Sequence, residues 1–259
     1  MSRRPGFPAR LELPSDRPAP AKKAGARAGH SLPGRHGAPG GVGLDSQAVR
    51  SRMVDKLAQQ GITDGRVLAA MGAVQRHRFV DSALVNQAYE DTSLPIGLGQ
   101  TISKPNVVAR MIELLLGGRC DATGRLGRVL EIGTGCGYQA ALLSIVATEV
   151  YSIERLRALH DKARDNLRAL ALPNVHLLFG DGTAGYAKGA PYAGIIAAAG
   201  GEAVPQAWLE QLAIGGRIVA PTVMAGGQQA LVVLEKTARE VKQTVLEAVH
   251  FVPLKSGIG

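Results

Sequence analysis

Two acidic side chains, a run of alternating glycines and a pair of hydroxyls are the groups in this chain whose types and spacing can do chemistry. Glu131 lies within RVLEIGTGCGYQAALL (128–143), inside an apolar run of Val129, Leu130 and Ile132. Gly133, Gly135 and Gly137 follow, with Thr134 between the first two, and lead into an apolar stretch at 139–147. Glycine is needed where a backbone turns sharply and comes close to a ligand, because no Cβ is tolerated there. The stretch therefore predicts a buried strand, a tight turn and a helix, with a nucleotide-type pocket at the carboxyl end of the strand. A plain strand-to-helix connection is the alternative for the same residues. The spacing is G-x-G-x-G with a carboxylate inside the motif, not the G-x-G-x-x-G that aims a helix start at a pyrophosphate, which weakens a dinucleotide reading. Glu154 ends the next apolar run, Val150 to Ile153, 21 residues after Gly133. That offset suits an acidic side chain that accepts from ribose hydroxyls.

The hydroxyls belong to an earlier stretch, YEDTSLPIGLGQTISKPNVVARMIELLL (89–116). Its first half is extended and loop-like, with Pro95, Gly97 and Gly99 in a run too apolar for an ordinary solvated linker. Its second half predicts a helix with Val107, Val108, Met111, Ile112 and Leu115 on one face and Pro105 in the first turn, where a missing N–H does no harm. Ser103 is placed to cap that helix. A loop that delivers Thr101 and Ser103 to a helix start also describes a carboxylate-binding nook, since hydroxyls and helix-start N–H groups both favour an anion. The two roles are compatible.

The elements that must position these groups follow from hydrophobic period. Val49, Met53, Val54 and Leu57 share one helical face ended by Gly61, and Thr63-Asp64 can cap a second helix carrying Val67, Leu68, Met71 and Val74. After the glycine turn, strands at 150–154, 175–179, 193–199, 218–220, 231–234 and 241–249 alternate with helices at 155–170 and 206–212 as far as the fourth of the sheet. Near-continuous apolar strands in βα units imply a parallel sheet buried on both faces. Two late strands with no helix between them imply an antiparallel edge. The expected fold is α/β, doubly wound, with a mostly parallel seven-stranded sheet and an antiparallel edge strand. Residues 45–120 would supply a helical cover and the hydroxyl loop, and 121–259 the core.

Composition narrows the setting. Of a net charge of +9, a surplus of six comes from residues 1–44, which hold eight basic and two acidic residues. The body is thus not read as a nucleic-acid groove. The same 44 residues contain seven prolines and eight glycines without apolar period, which predicts a disordered tail. Its arginines could form an RNA-contacting or membrane-surface arm, or a transit peptide, beside the simpler reading of a solvated tail. No run approaches the 18 or so apolar residues of a membrane span. Two cysteines, Cys120 and Cys136, give neither a disulfide framework nor a C-x-x-C site, so a reducing cytoplasm is expected. The histidines, His30, His36, His77, His160, His176 and His250, show no ligand spacing, and no metal site is expected.

The segments YEDTSLPIGLGQTISKP, VLEIGTGCGYQAALL, VYSIERLRAL, NVHLLFGDG and QLAIGGRIVAP together resemble the bacterial protein-L-isoaspartate (D-aspartate) O-methyltransferase family, from about Asp45 to the carboxyl terminus. The glycine motif marks S-adenosylmethionine-dependent methyltransferases broadly, whereas LPIG-x-GQTIS is specific to this family. The resemblance implies that Glu131, Gly133, Thr134, Gly135 and Gly137 surround the methionine part of S-adenosylmethionine, that Glu154 holds the ribose, and that Asp181 and Gly182 meet the adenine. It assigns Ser103, with Thr101 and Gln100, to the substrate site, with Ser103 and Thr101 closest to the chemistry. The implied reaction methylates the α-carboxylate freed when an Asp or Asn residue isomerises, and the ester then collapses to a succinimide that can reopen as aspartate. Such a carboxylate, with an ordinary pKa of about 4, is already ionised at neutral pH, so no general base is required and positioning supplies most of the acceleration. Isoaspartyl proteins are the implied partners, with the enzyme expected as a monomer and any nucleic-acid contact confined to weak binding by the tail.

The chain departs from the family pattern at Ala193, where an aspartate is usual, and at Ala197 or Ala198, where a threonine is common. Cys136 stands where serine is also common and reads as a small packing residue or a reactive thiol. A methyltransferase acting on nucleic acid or a small molecule is the alternative within the class; the chain lacks the N-P-P-Y motif and the Pro-Cys nucleophile of base methylation. A nucleic-acid-binding module that has lost catalysis is the alternative outside it.

Overall fold

The computed structural model describes residues 47–259. The basic stretch 1–44, expected to be disordered, lies outside the described residues, as do His30 and His36. Helices α1 (Gln47–Gln59) and α2 (Gly65–Ala73) come first. A hairpin, β1 (Leu94–Gly97) and β2 (Gln100–Ile102), precedes α3 (Pro105–Leu116). The sheet then alternates with helices: β3 (Leu126–Ile132), α4 (Tyr138–Val146), β4 (Ala147–Glu154), α5 (Arg157–Arg168) and β5 (Val175–Phe179). After β6 (Tyr192–Ala197) and α6 (Gln206–Gln211) come β7 (Leu212–Val223), β8 (Gln229–Lys236) and β9 (Val241–Val249).

The seven strands lie in the order β5-β4-β3-β6-β7-β8-β9. Pairings from β5 through β7 are parallel, whereas β7–β8 and β8–β9 are antiparallel. The antiparallel edge expected from the late strands is therefore present, with β8 running against both neighbours. Side-chain alternation sorts the strands onto two cores. Val129, Val150 and Val219 face a cluster built with α1 to α5, and Leu130, Ile132, Ile153 and Ile218 face another that contains Trp208 of α6. Both faces are covered, but unequally. Residues 45–120 and the sheet share the first of these cores, so the helical cover is continuous with the fold it covers.

Strand order reverses between β3 and β6. In open α/β sheets the crevice outside the carboxyl ends at such a reversal is where ligands bind. The glycine turn follows β3 there, and Ala198 follows β6.

Three local features differ from the expectations. Ala147 begins β4 rather than ending α4. Strand β7 starts at Leu212, before Gly215-Gly216, because the register slips: Tyr192 pairs with Leu212 but Gly194 with Arg217. A Cβ at Gly216 would lie 2.9 Å from Ala193 O, so the approach to β6 requires glycine. Ser103 does not cap α3. The cap position is Lys104, with no side-chain cap bond of its own. Instead Asp91 Oδ1, 15 residues upstream, accepts from Asn106 N at 2.9 Å. By contrast, Asp64 caps α2 as expected, accepting from Arg66 N at 2.8 Å.

The loop that carries Asp91 is held through its backbone by a buried arginine. Arg76 is fully buried, donating from Nε to Ala88 O at 2.8 Å and from Nη2 to Thr92 O at 3.4 Å, with its guanidinium 5.0 Å from the Tyr138 ring centroid. It thus fixes both ends of the loop that carries Asp91. Asp91→Ala should cost about 1 kcal/mol of unfolding free energy, as loss of a helix cap does, read as a lower urea midpoint at unchanged slope. Ser103→Ala should leave that midpoint in place.

Candidate active site

The glycine turn is drawn tight against three neighbours. Gly133, Gly135 and Gly137 have φ of +89°, +57° and +90°, values that favour glycine. An added Cβ at Gly135 would lie 3.2 Å from Ile96 Cδ1, and one at Gly137 3.1 Å from Leu167 side-chain carbons. Gly133 N donates to Ile153 O at 2.9 Å and Gly135 N to Glu154 Oε2 at 2.9 Å. The turn is therefore stitched to the end of β4. Beneath it, Glu131 accepts from Ser152 Oγ, and that hydroxyl is 2.6 Å from Thr134 Oγ1. Glu131 is fully buried; its Oε1 and Gln139 Nε2 have no hydrogen-bond partner.

Glu131 is consequently a support under the turn, not part of the groove wall where it was expected. Burial pushes its carboxyl up to about 8, and the nearby Glu154 charge adds to the rise, while the bond from Ser152 opposes it. Gly137 is also absent from the groove wall; it forms the left-handed start of α4 and packs on α5.

Two cavities of about 470 Å³ each open at the carboxyl edge of the sheet. The first is lined by Gly133, Gly135, Glu154 and Gly182, together with Leu98 and Gln100 of the hairpin and Pro253 and Leu254 near the carboxyl terminus. The second is lined by Thr101, Ser103, Lys104, Arg110, Glu247 and Phe251, among others. Thr101 and Ala198 line both. A smaller space of about 40 Å³, walled by Ile96, Ile102, Val108, Gly133 and Ala198 among others, lies beside that seam. Gln100, expected with the substrate residues, instead lines the first cavity, because the hairpin tip turns it toward the glycine turn.

The first cavity suits a nucleoside-bearing cofactor. Its glycine floor leaves backbone exposed to a ligand, and a Cβ at Gly182 would lie 2.5 Å from Ile132 Cγ2. Glu154 Oε1 accepts from Leu156 N at 2.9 Å, so backbone bonds hold both carboxylate oxygens at the groove. Each oxygen keeps a lone pair for a ribose hydroxyl. Asp181 stands behind Gly182 rather than on the wall. Its Oδ1 accepts from Thr183 N and Oγ1, and its Oδ2 from Gly257 N at 2.6 Å. Partial burial works to raise this carboxyl, but the bonds from Gly257 and Thr183 outweigh it and hold the group below its usual range. The segment from Val252 to Gly257 thereby crosses the groove: Gly200 N donates to Val252 O at 2.9 Å, Leu254 N to Gly200 O at 2.8 Å, and Arg155 Nε to Gly257 O at 2.9 Å.

In the second cavity the Ser103 hydroxyl, which does not cap α3, is free to meet a ligand. The helix-start nook expected there is already filled by the Asp91 carboxylate, so the anion-binding capacity comes from Thr101 and Ser103 with Lys104 nearby. Cys136 is buried, and burial raises its thiol to about 11, which makes it a packing group. Among the described residues no three His, Cys, Asp or Glu side chains gather as a metal site, and no helix is long and apolar enough to cross a membrane. Reading of the residues alone missed Asp91, Arg76 and Ser152, which look in sequence like ordinary loop and strand positions.

A glycine turn at the β3/β6 reversal, with an acidic residue ending β4 and an antiparallel sheet edge, fits the S-adenosylmethionine-dependent methyltransferase class, and comparison with known proteins assigns the chain to it. The model of the protein-L-isoaspartate (D-aspartate) O-methyltransferase family matches residues 48–259. The protein-L-isoaspartate O-methyltransferase of Methylibium petroleiphilum is 56% identical over 265 residues, covering 98% of this chain and 96% of its relative. That of Ralstonia nicotianae is 56% identical over 234 residues, covering 86% and 72%. A solved protein-L-isoaspartate O-methyltransferase structure superposes with a TM-score of 0.72 at 27% identity, over 81% of this chain and 67% of the other. A Plasmodium falciparum structure described as the same enzyme type, in complex with S-adenosyl-L-homocysteine, shares the fold at 22% identity and a TM-score of 0.66, over 80% and 98%. The chain belongs to the protein-L-isoaspartate (D-aspartate) O-methyltransferase family.

The Glu131 carboxyl carries a stability consequence. A carboxyl raised from 4.5 to about 8 holds its proton in the folded state while the unfolded chain has released it, so its contribution is fully present below pH 4.5 and is lost as pH rises through 8. Glu131→Gln should flatten the fall in melting temperature between those limits, seen in thermal melts across the range.

Proposed function

We infer that this chain performs the repair reaction of its family: methyl transfer from S-adenosylmethionine to the free carboxylate of damaged residues, the α-carboxylate of L-isoaspartyl and the side-chain carboxylate of D-aspartyl. The observation that carries the reading is the meeting of two cavities at Thr101 and Ala198, one floored by the glycine turn and the other carrying Ser103. S-adenosylmethionine, when bound, supplies a methyl group on a sulfonium centre. Gly133, Gly135 and Glu154 are proposed to hold it, with Gly182 beside the base and Asp181 behind. The Thr101 and Ser103 hydroxyls are proposed to orient the substrate carboxylate, which arrives ionised and asks for no base. The chain's task is then to bind, align and exclude water, and alignment of this kind supplies most of the barrier reduction in such transfers.

Family membership and the LPIGLGQTISKP segment favour this substrate over nucleic acids or small molecules. Supporting a reducing cytoplasm as the location, both cysteines are free. The test is methyl incorporation from labelled cofactor into an isoaspartyl peptide and its aspartyl twin; equal labelling of the two would overturn the reading. Ser103→Ala should lower transfer about tenfold, the scale of one hydrogen bond to a charged group. Cofactor affinity by calorimetry should stay unchanged.

A further inference from the structure

The hairpin that carries Gln100 and Thr101 and leads into Ser103 buries Leu94, Ile96 and Ile102 in the first core, but among the described residues few polar contacts fix its backbone. Strands β1 and β2 pair only with each other. At the tip, Gly97, Leu98 and Gly99 have φ of +102°, +52° and +68°, and a Cβ on either glycine would meet nothing within 4 Å. Leu98 is a non-glycine residue in the left-handed region and is 60% exposed. Such a conformation costs free energy and persists only where the surroundings impose it. A transfer that depends on in-line alignment nevertheless needs this hairpin at a fixed distance from the glycine turn, since a misplacement of about 1 Å can cost about a hundredfold in rate.

Helix α5 supplies the fixture. Lys162 Nζ donates to Ile96 O of the hairpin at 2.9 Å and pairs with Asp81 at 3.2 Å. One turn further along the same face, Asn166 Nδ2 donates to Cys136 O in the glycine turn at 2.9 Å. Ala163 and Leu167 occupy the space that a Cβ on Gly137 would take. Just before the helix, Leu156 N donates to Glu154. One rigid element therefore touches the ribose-side carboxylate, the glycine turn and the substrate hairpin.

We propose that Lys162 is a positioning residue for methyl transfer, fixing the substrate hairpin to the same helix that holds the cofactor turn and so setting the separation of the two half-sites. The proposal rests on the repair reading for its substrate but not for its geometry. The competing account is a partly exposed ion pair with Asp81, of the kind that contributes little to stability. The two differ in which partner matters: Ile96 O or the Asp81 carboxylate.

The experiment compares the full chain with Lys162→Met, which keeps the aliphatic stem and removes the donor, Lys162→Arg, which restores one, and Asp81→Asn, which removes only the ion pair. For Lys162→Met, kcat/KM on an isoaspartyl peptide should fall about tenfold, while the cofactor Kd stays within about twofold. Backbone amides of 94–102 should exchange about tenfold faster without either ligand. Lys162→Arg should recover most of both losses, and Asp81→Asn should change neither. The proposal is overturned if Lys162→Met leaves hairpin exchange and kcat/KM as in the unsubstituted chain, if Asp81→Asn reproduces its effects, or if cofactor affinity falls in parallel. Failure of the unsubstituted chain to methylate the peptide would defeat the repair reading alone, and hydrogen exchange would still decide the role of Lys162.

Discussion

The structure depends on close approach at one turn. Between β3 and α4 the backbone has three residues at positive φ, and the missing Cβ atoms leave room for Ile96 of the hairpin, Leu167 of α5 and Ala198 after β6. Those three contacts come from the substrate side, the helix beyond Glu154 and the strand across the sheet reversal. A side chain at any of the three glycines would be strained by φ alone, and one at Gly135 or Gly137 would also crowd Ile96 or Leu167. The turn is thus a packing hub as well as a ligand floor.

The polar groups beneath the hub follow the same economy of space. Glu131, Ser152 and Thr134 form a buried hydrogen-bonded chain that joins β3 to β4 and reaches the turn from below. A buried carboxyl is costly when ionised, and here it stays protonated near neutrality. The adjoining carboxylate, Glu154, meets backbone N–H groups instead and reaches the groove. Two acidic residues at the ends of neighbouring strands, both buried, therefore play different parts because Glu154 accepts two backbone N–H bonds and lines the groove, whereas Glu131 is sealed beneath the turn.

Much of this was legible from residue order. Apolar runs located every strand of the main sheet, and the glycine spacing with Glu131 and Glu154 located the crevice before its walls were known. Local sequence went wrong where the partner was distant. Ser103 has the type and place of a helix cap, yet Asp91 takes that role from 15 residues away, on a loop held by Arg76, a buried arginine with no sequence signature. Glu131 was expected on the groove wall because an acidic motif residue does not disclose which side of its strand it faces. Gln100 was grouped with the substrate residues by family resemblance, and a hairpin tip with three left-handed residues cannot be built from a pattern of period two, so its place on the first cavity was not legible. Lys162 and Asn166 lie on a helix rich in charged residues and read as part of a solvated face. Each donates to a backbone carbonyl of the site, Ile96 O and Cys136 O, which leaves no trace in sequence.

The seam where the two cavities meet has one further consequence. Ala198 presents a methyl group there, and the adjoining space mixes the hydrocarbon of Ile96, Ile102 and Val108 with the polar groups of Thr101, Ser103, Thr134 and Gln139. The proposed reaction brings an anion to a cation and ends with neither charge. Charge-annihilating reactions of this type gain from a medium of low polarity, because water stabilises the separated ions more than the discharged transition state. A hydroxyl at position 198 would add a dipole where the charges vanish. Ala198, one of the two positions at which a threonine was expected, adds hydrocarbon rather than a further dipole to that seam.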